Sequence, residues 1–317
     1  MKQYADREYL HTRIYAMKGR LYGLREYAAV LREREPSRDG ERRDEGDRAA
    51  EKEILFTDVM NDVFRLVEAS DYHRPLFLAF LRQYEIKNLK LLLAKAFKKQ
   101  VIEQWYPLGS YALLDRELLD ENLSPGGLKE RLEETYLAPV FQSGNTFDRF
   151  MIRADATGIR EILHSADSLN SNDRELFLEL VHMRAAVLLA SWRRRLADSY
   201  GWSRERIEAW LEAFRDILEG DLPSLSLKME EELERETGDP GARAGASPDA
   251  EDLEYRLEML WYRWIRHFFY RDFHSVCPVA AYLWLLSRQV LNLFGIVDGL
   301  RFQLPHDVIL GRIVTDS

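Results

Sequence analysis

The chain has 317 residues, 31% of them charged and 46% hydrophobic, with 10 prolines, 17 glycines and a single cysteine. Those fractions exclude a wholly disordered or collagen-like chain, and the low proline and glycine content disfavours a loop-rich β-sandwich, so a helical protein is expected. Lysine and arginine number 45 against 54 aspartates and glutamates, a net charge of −9, which is the wrong sign for a general polyanion binder.

The length allows one large domain or two to three modules, each able to bury a core. Cys277 has no partner in the chain, so no internal disulfide is expected, which suits a reducing compartment. The opening residues Met1 to Glu8 carry acids and lack the apolar stretch of a signal peptide. The longest apolar run, Val276 to Leu286, is interrupted by Pro278 and falls short of the roughly 20 residues that span a bilayer. Any membrane connection is therefore expected to run through a partner.

Apolar residues at Leu10, Ile14, Met17, Leu21, Leu24, Ala28 and Leu31 step by four and three, the spacing of one helix face. Gly19 and Gly23 lie inside that stripe and predict one helix to about Tyr22, a break, and a second over Arg25–Arg34. From Glu33 to Glu53 nearly every residue is charged, glycine or alanine, and the stretch reads as a solvated insertion. The helical period returns from Ile54 to Gln104, where Asp71-Tyr72-His73-Arg74-Pro75 opens a long apolar helix. Pro107-Leu108-Gly109 and Ser124-Pro125-Gly126-Gly127 punctuate the chain before several helices over 146–218, with Asn170 to Asp173 as turn and N-cap and Ser203 opening a later helix. Gly238 to Ala250 reads as a flexible linker, and Pro278 and Pro305 each suit a first helical turn. A faint repeat places Asn88-Leu89 and Asn292-Leu293 inside proline-marked apolar helices. A middle copy over Val181–Val187 has alanine where asparagine would stand.

Two Glu-x-x-His segments, Glu161 to His164 and Glu179 to His182, carry the spacing used in carboxylate-bridged di-iron bundles. A hairpin turning near Asn170 would level the two glutamates but separate the histidines along the helix axis, so solvated or capping roles are expected and no metal site is assigned. No phosphate-binding glycine loop and no nucleophile elbow occurs, so neither a cofactor-binding nor a catalytic residue is expected. Cys277, directly before Pro278 in an apolar stretch, reads as a buried structural thiol. Two basic features remain. Trp192 is followed by Arg193, Arg194 and Arg195, and the stretch from Trp261 to Arg271 interleaves aromatics with cations. One reading is a core helix whose Trp261, Trp264 or Ile265, and Phe268 turn inward while the arginines reach water. The other is a protein interface, with Trp261, Arg263, Trp264, Arg266, Tyr270, Arg271, Arg193 and Arg194 as its candidates, since Trp, Tyr and Arg most often anchor binding energy.

The stretch Thr12-Arg13-Ile14-Tyr15-Ala16-Met17-Lys18-Gly19-Arg20-Leu21, the helix Phe80 to Lys90, and the closing Pro278 to Trp284, Asn292-Leu293 and Leu304 to Ile309 stand in an order and spacing that resembles the C-type stalk subunit of the V/A-type ATPases (ATP synthases), related to the d-type subunit of the eukaryotic vacuolar ATPase. The resemblance covers nearly the whole chain. It implies an all-α fold of three similar helical modules arranged as a pseudo-threefold funnel: residues 1–120 with the 33–53 insertion, 121–237, a linker over 238–250, and 251–317. It also implies a non-catalytic central-stalk rotor subunit on the cytoplasmic face of the membrane, a socket between the central shaft and the membrane proteolipid ring. The family usually has glutamates at the positions of Ser287 and Gln289 and an arginine at that of Phe294, so the charged cluster around Asn292 is largely lost here. A free-standing helical adaptor and a helical-bundle metalloenzyme are the alternatives.

Overall fold

The computed structural model describes residues 2–34, 45–99, 104–121, 123–142, 146–215 and 250–315. Among these residues the chain is all-α. It forms α1 (Lys2–Lys18), α2 (Leu24–Glu33), α3 (Glu45–Ala69), α4 (Arg74–Ala96), α5 (Pro125–Leu132), α6 (Phe147–Ser165), α7 (Ser171–Tyr200), α8 (Arg204–Arg215), α9 (Ala250–Phe269), α10 (Cys277–Arg301) and α11 (His306–Gly311), with short 3-10 turns between α4 and α7. The expected break between the first two helices is present. At it, the Gly23 N–H donates to Glu26 Oε2 at 2.9 Å and restarts the helix. Asn170 caps α7 by accepting from the Asp173 N–H at 3.0 Å, and Ser124 caps α5 by accepting from Gly127 at 3.1 Å. The expected linker 238–250 lies outside the described residues except for Ala250, which opens α9.

The charged stretch from Glu33 departs from the expectation of a solvated insertion. Its residues 45–53 belong to α3, and Lys52 is 3% exposed, its Nζ 2.6 Å from Asp298 Oδ1. Alanine, glutamate and lysine are good helix formers, and the helix places Lys52 on the same side as the apolar residues that follow. Residues 35–44 of that stretch lie outside the described residues.

The chain divides into two compact units, one of residues 1–74 with 262–317 and one of residues 75–261. In the first, α10 packs against α1, α3 and α11, and α11 packs against α2. Phe56, Met60, Val63 and Val67 form the buried stripe of α3, while Tyr27, Leu31, Leu293, Ile296, Ile309 and Ile313 form a cluster around α10 and α11. Helix α10 is apolar and long enough to cross a membrane, but 72% of its most apolar window is buried inside the protein, as a core helix requires. In the second unit, α6 packs on α7, α8 and the 3-10 turn Ala138–Phe141. Leu89, Leu93, Trp105, Leu128, Leu137 and Phe150 belong to its core.

The two Asn-Leu pairs make the same contact in their respective units. Asn88 Nδ2 donates to the Tyr106 carbonyl and its Oδ1 accepts from the Tyr106 N–H, both at 2.9 Å. Asn292 Nδ2 donates to the Val314 carbonyl at 2.9 Å and its Oδ1 accepts from the Val314 N–H at 3.1 Å. A carboxamide has one donor face and one acceptor face, so it can pair with both polar groups of one peptide and satisfy a chain segment inside the protein. Three residues earlier on each helix stands a further acceptor. Glu85 Oε1 takes the N–H groups of Leu113 and Leu114 at 3.1 and 2.6 Å, and Gln289 Oε1 takes that of Tyr22 at 2.8 Å.

Candidate interface

Chemistry at the two Glu-x-x-His segments is constrained by what their side chains already do. Glu161 is buried and accepts from Arg82 at 2.7 Å and from Arg160 at 3.4 Å. His164 and Glu179 are exposed, and His182 is half-buried, its pKa lowered by burial. Among the described residues no group of three or more His, Cys, Asp or Glu is gathered to hold a metal ion. Cys277 is fully buried at the start of α10, with its N–H on Ser275 Oγ at 3.1 Å.

In the second unit the basic cluster of α7 is laced to acids. Arg193 Nε is 2.8 Å from Glu208, Arg194 pairs with Asp198 one turn on, and Arg195 reaches Glu254 at 2.8 Å. Arg184 pairs with Glu258 at 2.9 Å and lies 5.7 Å from the centre of the Trp261 ring. Burial pulls the Arg184 pKa down to about 10, with Asp155 opposing the shift. Trp261 itself is 2% exposed, a core residue of this unit.

In the first unit the remaining candidates lie on the last turns of α9 and the loop behind it. Ile265, Phe268 and Phe269 are buried, and Trp264 is half-buried and stacked on Phe268 with ring centres 5.2 Å apart. Arg263 and Arg271 are exposed, Arg266 is half-buried, and Tyr270 is 47% exposed. Asp272 shapes the loop: its Oδ1 accepts from the His274 N–H at 2.9 Å and its carbonyl from Ser275 Oγ at 3.0 Å. One face of α1 holds the loop down. Arg7 Nη2 donates to the His274 carbonyl at 2.5 Å, His11 Nδ1 to that of Phe273 at 2.8 Å, and Lys18 Nζ to the Tyr270 hydroxyl at 2.7 Å. The Tyr15 ring packs against Phe269 and Phe273, with ring centres 5.1 and 5.8 Å away. The Lys18 ammonium also lies 5.1 Å from the Tyr270 ring centre and 5.7 Å from that of Phe269, within cation–π range. His73 lies behind His11 with ring centres 6.4 Å apart, and its pKa is lowered to about 3, chiefly by burial and then by His11 and Arg7.

The sequence pattern points to the α9 side of this surface and misses Lys18, Tyr15 and Phe273. Lys18 meets a residue 252 positions away, which no local spacing encodes. The second stripe of α1 at 7, 11, 15 and 18 is nevertheless visible as a helical period beside the apolar one.

The fold and this surface together define an all-helical protein that presents aromatic and cationic side chains on a pinned loop. The chain belongs to the ATP synthase (C/AC39) subunit family, whose model matches residues 11–312. It is thus an accessory subunit of a V/A-type ATPase, a membrane-associated complex, in agreement with the sequence resemblance. A search of curated proteins finds no match.

Proposed function

We infer that this chain is the rotor socket of its ATPase: a non-catalytic part of the central stalk that seats the central shaft and rides on the cytoplasmic side of the membrane proteolipid ring. In this reading three similar helical modules form a funnel, and the chain couples rotation at the catalytic head to ion transport or ATP synthesis. The family match over residues 11–312 carries the reading. The long helices, pinned by the Asn88 and Asn292 contacts, supply the stiffness that torque transmission requires. Arg263, Tyr270 and Arg271 are exposed on the last turns of α9 and in the loop behind it, outside the packed core that provides this stiffness, and so suit contact with a neighbouring subunit.

Affinity purification of the full chain from its native membrane tests the assignment. Recovery of catalytic, shaft and proteolipid subunits together is the expected result, and recovery of the chain without them would overturn it. Alanine at Arg263, Arg266 and Arg271 together is expected to weaken that assembly.

A further inference from the structure

We propose that the surface formed by Lys18, Tyr270, Arg271 and Phe273 binds an acidic segment of a partner protein, one that sets carboxylates beside an apolar anchor. The proposal gives the partner of the rotor reading a chemistry, and rests on that reading only for the complex in which the partner is found. Tyr270 and Phe273 are 47% and 53% exposed, two large aromatic rings side by side with centres 6.4 Å apart. Exposed aromatics flanked by cations are the composition of binding hot spots rather than of ordinary solvated surface. The charge of the surface is one-sided. Residues 262–276 contain three arginines and one acid, Asp272, and Lys18 joins them from α1. The Asp272 carboxylate accepts from the His274 N–H, so it takes up a role in shaping the loop, while Lys18 lies over the Tyr270 ring and Arg271 over that of Phe268.

The loop is also held ready. Two side chains one helical turn apart on α1, Arg7 and His11, bind the consecutive carbonyls of His274 and Phe273. A partner that docks there meets a loop whose backbone is already fixed, which spares the ordering entropy of binding. A protein is favoured over an anionic lipid surface because the surface sets two cations, Lys18 and Arg271, beside two aromatic rings, fewer than the clusters of about four to eight basic residues that mark anionic-lipid binding.

The test replaces Phe273 with the photo-crosslinking residue benzoylphenylalanine in the full chain, within the membrane complex, and identifies the crosslinked species by mass spectrometry. The expected product is a partner peptide with at least two Asp or Glu residues close to the crosslink. A lipid adduct, a neutral or basic peptide, or no crosslink would overturn the proposal. Lys18→Glu with Arg271→Glu is expected to cut the crosslink yield about tenfold, in a chain whose circular dichroism and melting temperature match the parent. An unchanged yield in that folded variant also overturns the proposal. An acidic peptide from outside any ATPase subunit would support the proposal and overturn the rotor reading. A chain that co-purifies with ATPase subunits but crosslinks to a non-acidic segment would do the reverse.

Discussion

Asn88 and Asn292 show how one side chain can do the work of a short piece of secondary structure. Each carboxamide satisfies both polar groups of a buried residue, and alanine at either position strands a donor and an acceptor. Each stranded group costs about 1–3 kcal/mol, so Asn88→Ala and Asn292→Ala are each expected to lower stability by about 2–6 kcal/mol in urea denaturation; a loss below about 1 kcal/mol would contradict the role. Beside the second of these contacts, Gln289 accepts from the Tyr22 N–H and Lys52 Nζ lies 5.5 Å from the centre of the buried Phe294 ring. His73 carries a pH dependence of definite sign. Its pKa is held at about 3 against an ordinary 6.5, so between those values the unfolded chain binds the proton that the folded chain refuses. The stability this neutral histidine contributes is complete above pH 6.5 and is lost as pH falls toward 3, at up to about 1.4 kcal/mol per pH unit. His73→Gln is expected to flatten the fall in melting temperature between about pH 6.5 and 4, and an identical slope would show that His73 does not titrate in this way.

Among the elements, the docking of α11 onto α10 depends on a missing side chain. A Cβ placed on Gly299 would lie 2.6 Å from Cγ1 and 2.8 Å from Cδ1 of Ile309, which is 3% exposed. Gly299→Ala is therefore expected to destabilise the protein by about 1–3 kcal/mol, and Ile309→Ala, which removes the clashing Cγ1 and Cδ1 atoms, should return part of the loss in the same chain. Strictly additive losses, measured by denaturation of the two single variants and the double, would show that the two positions do not meet. Element starts and stops were largely legible in the sequence because they rest on local chemistry. Asn170 caps α7 with its own side chain, and the predicted break after the first helix is present, although α1 ends at Lys18, four residues before the expected end near Tyr22. The start of α3 was not legible, because charge density reads as solvation until a partner is known. Lys52 is buried where Asp298, far along the chain, receives it. The α9 half of the candidate surface was visible as a run of aromatics and arginines, but its α1 half depends on tertiary packing.

At the scale of the whole molecule, charge is distributed unevenly, and that unevenness has a measurable consequence. The chain carries −9 overall while residues 262–276 hold three arginines and one aspartate. Contacts made through such an exposed basic surface are screened by salt, since the Debye length shrinks from about 10 Å at 0.1 M to about 3 Å at 1 M. The ion pairs inside the fold answer differently. Lys52 is almost fully buried against Asp298, and most of the remaining stability comes from apolar packing that sodium chloride does not weaken. The fold and the assembly should therefore separate along a salt series. Raising sodium chloride from about 0.1 to about 1 M is expected to release the chain from its membrane complex progressively, while its own melting temperature shifts by no more than about 3 °C. Sedimentation of membranes across the series, with immunodetection of the chain in pellet and supernatant, measures the first quantity, and calorimetry of the purified chain measures the second. Retention unchanged at the highest salt would place the assembly on apolar contacts and remove the basic surface from it. Release accompanied by a collapse in melting temperature would mean that the exposed cations hold the fold itself rather than a partner.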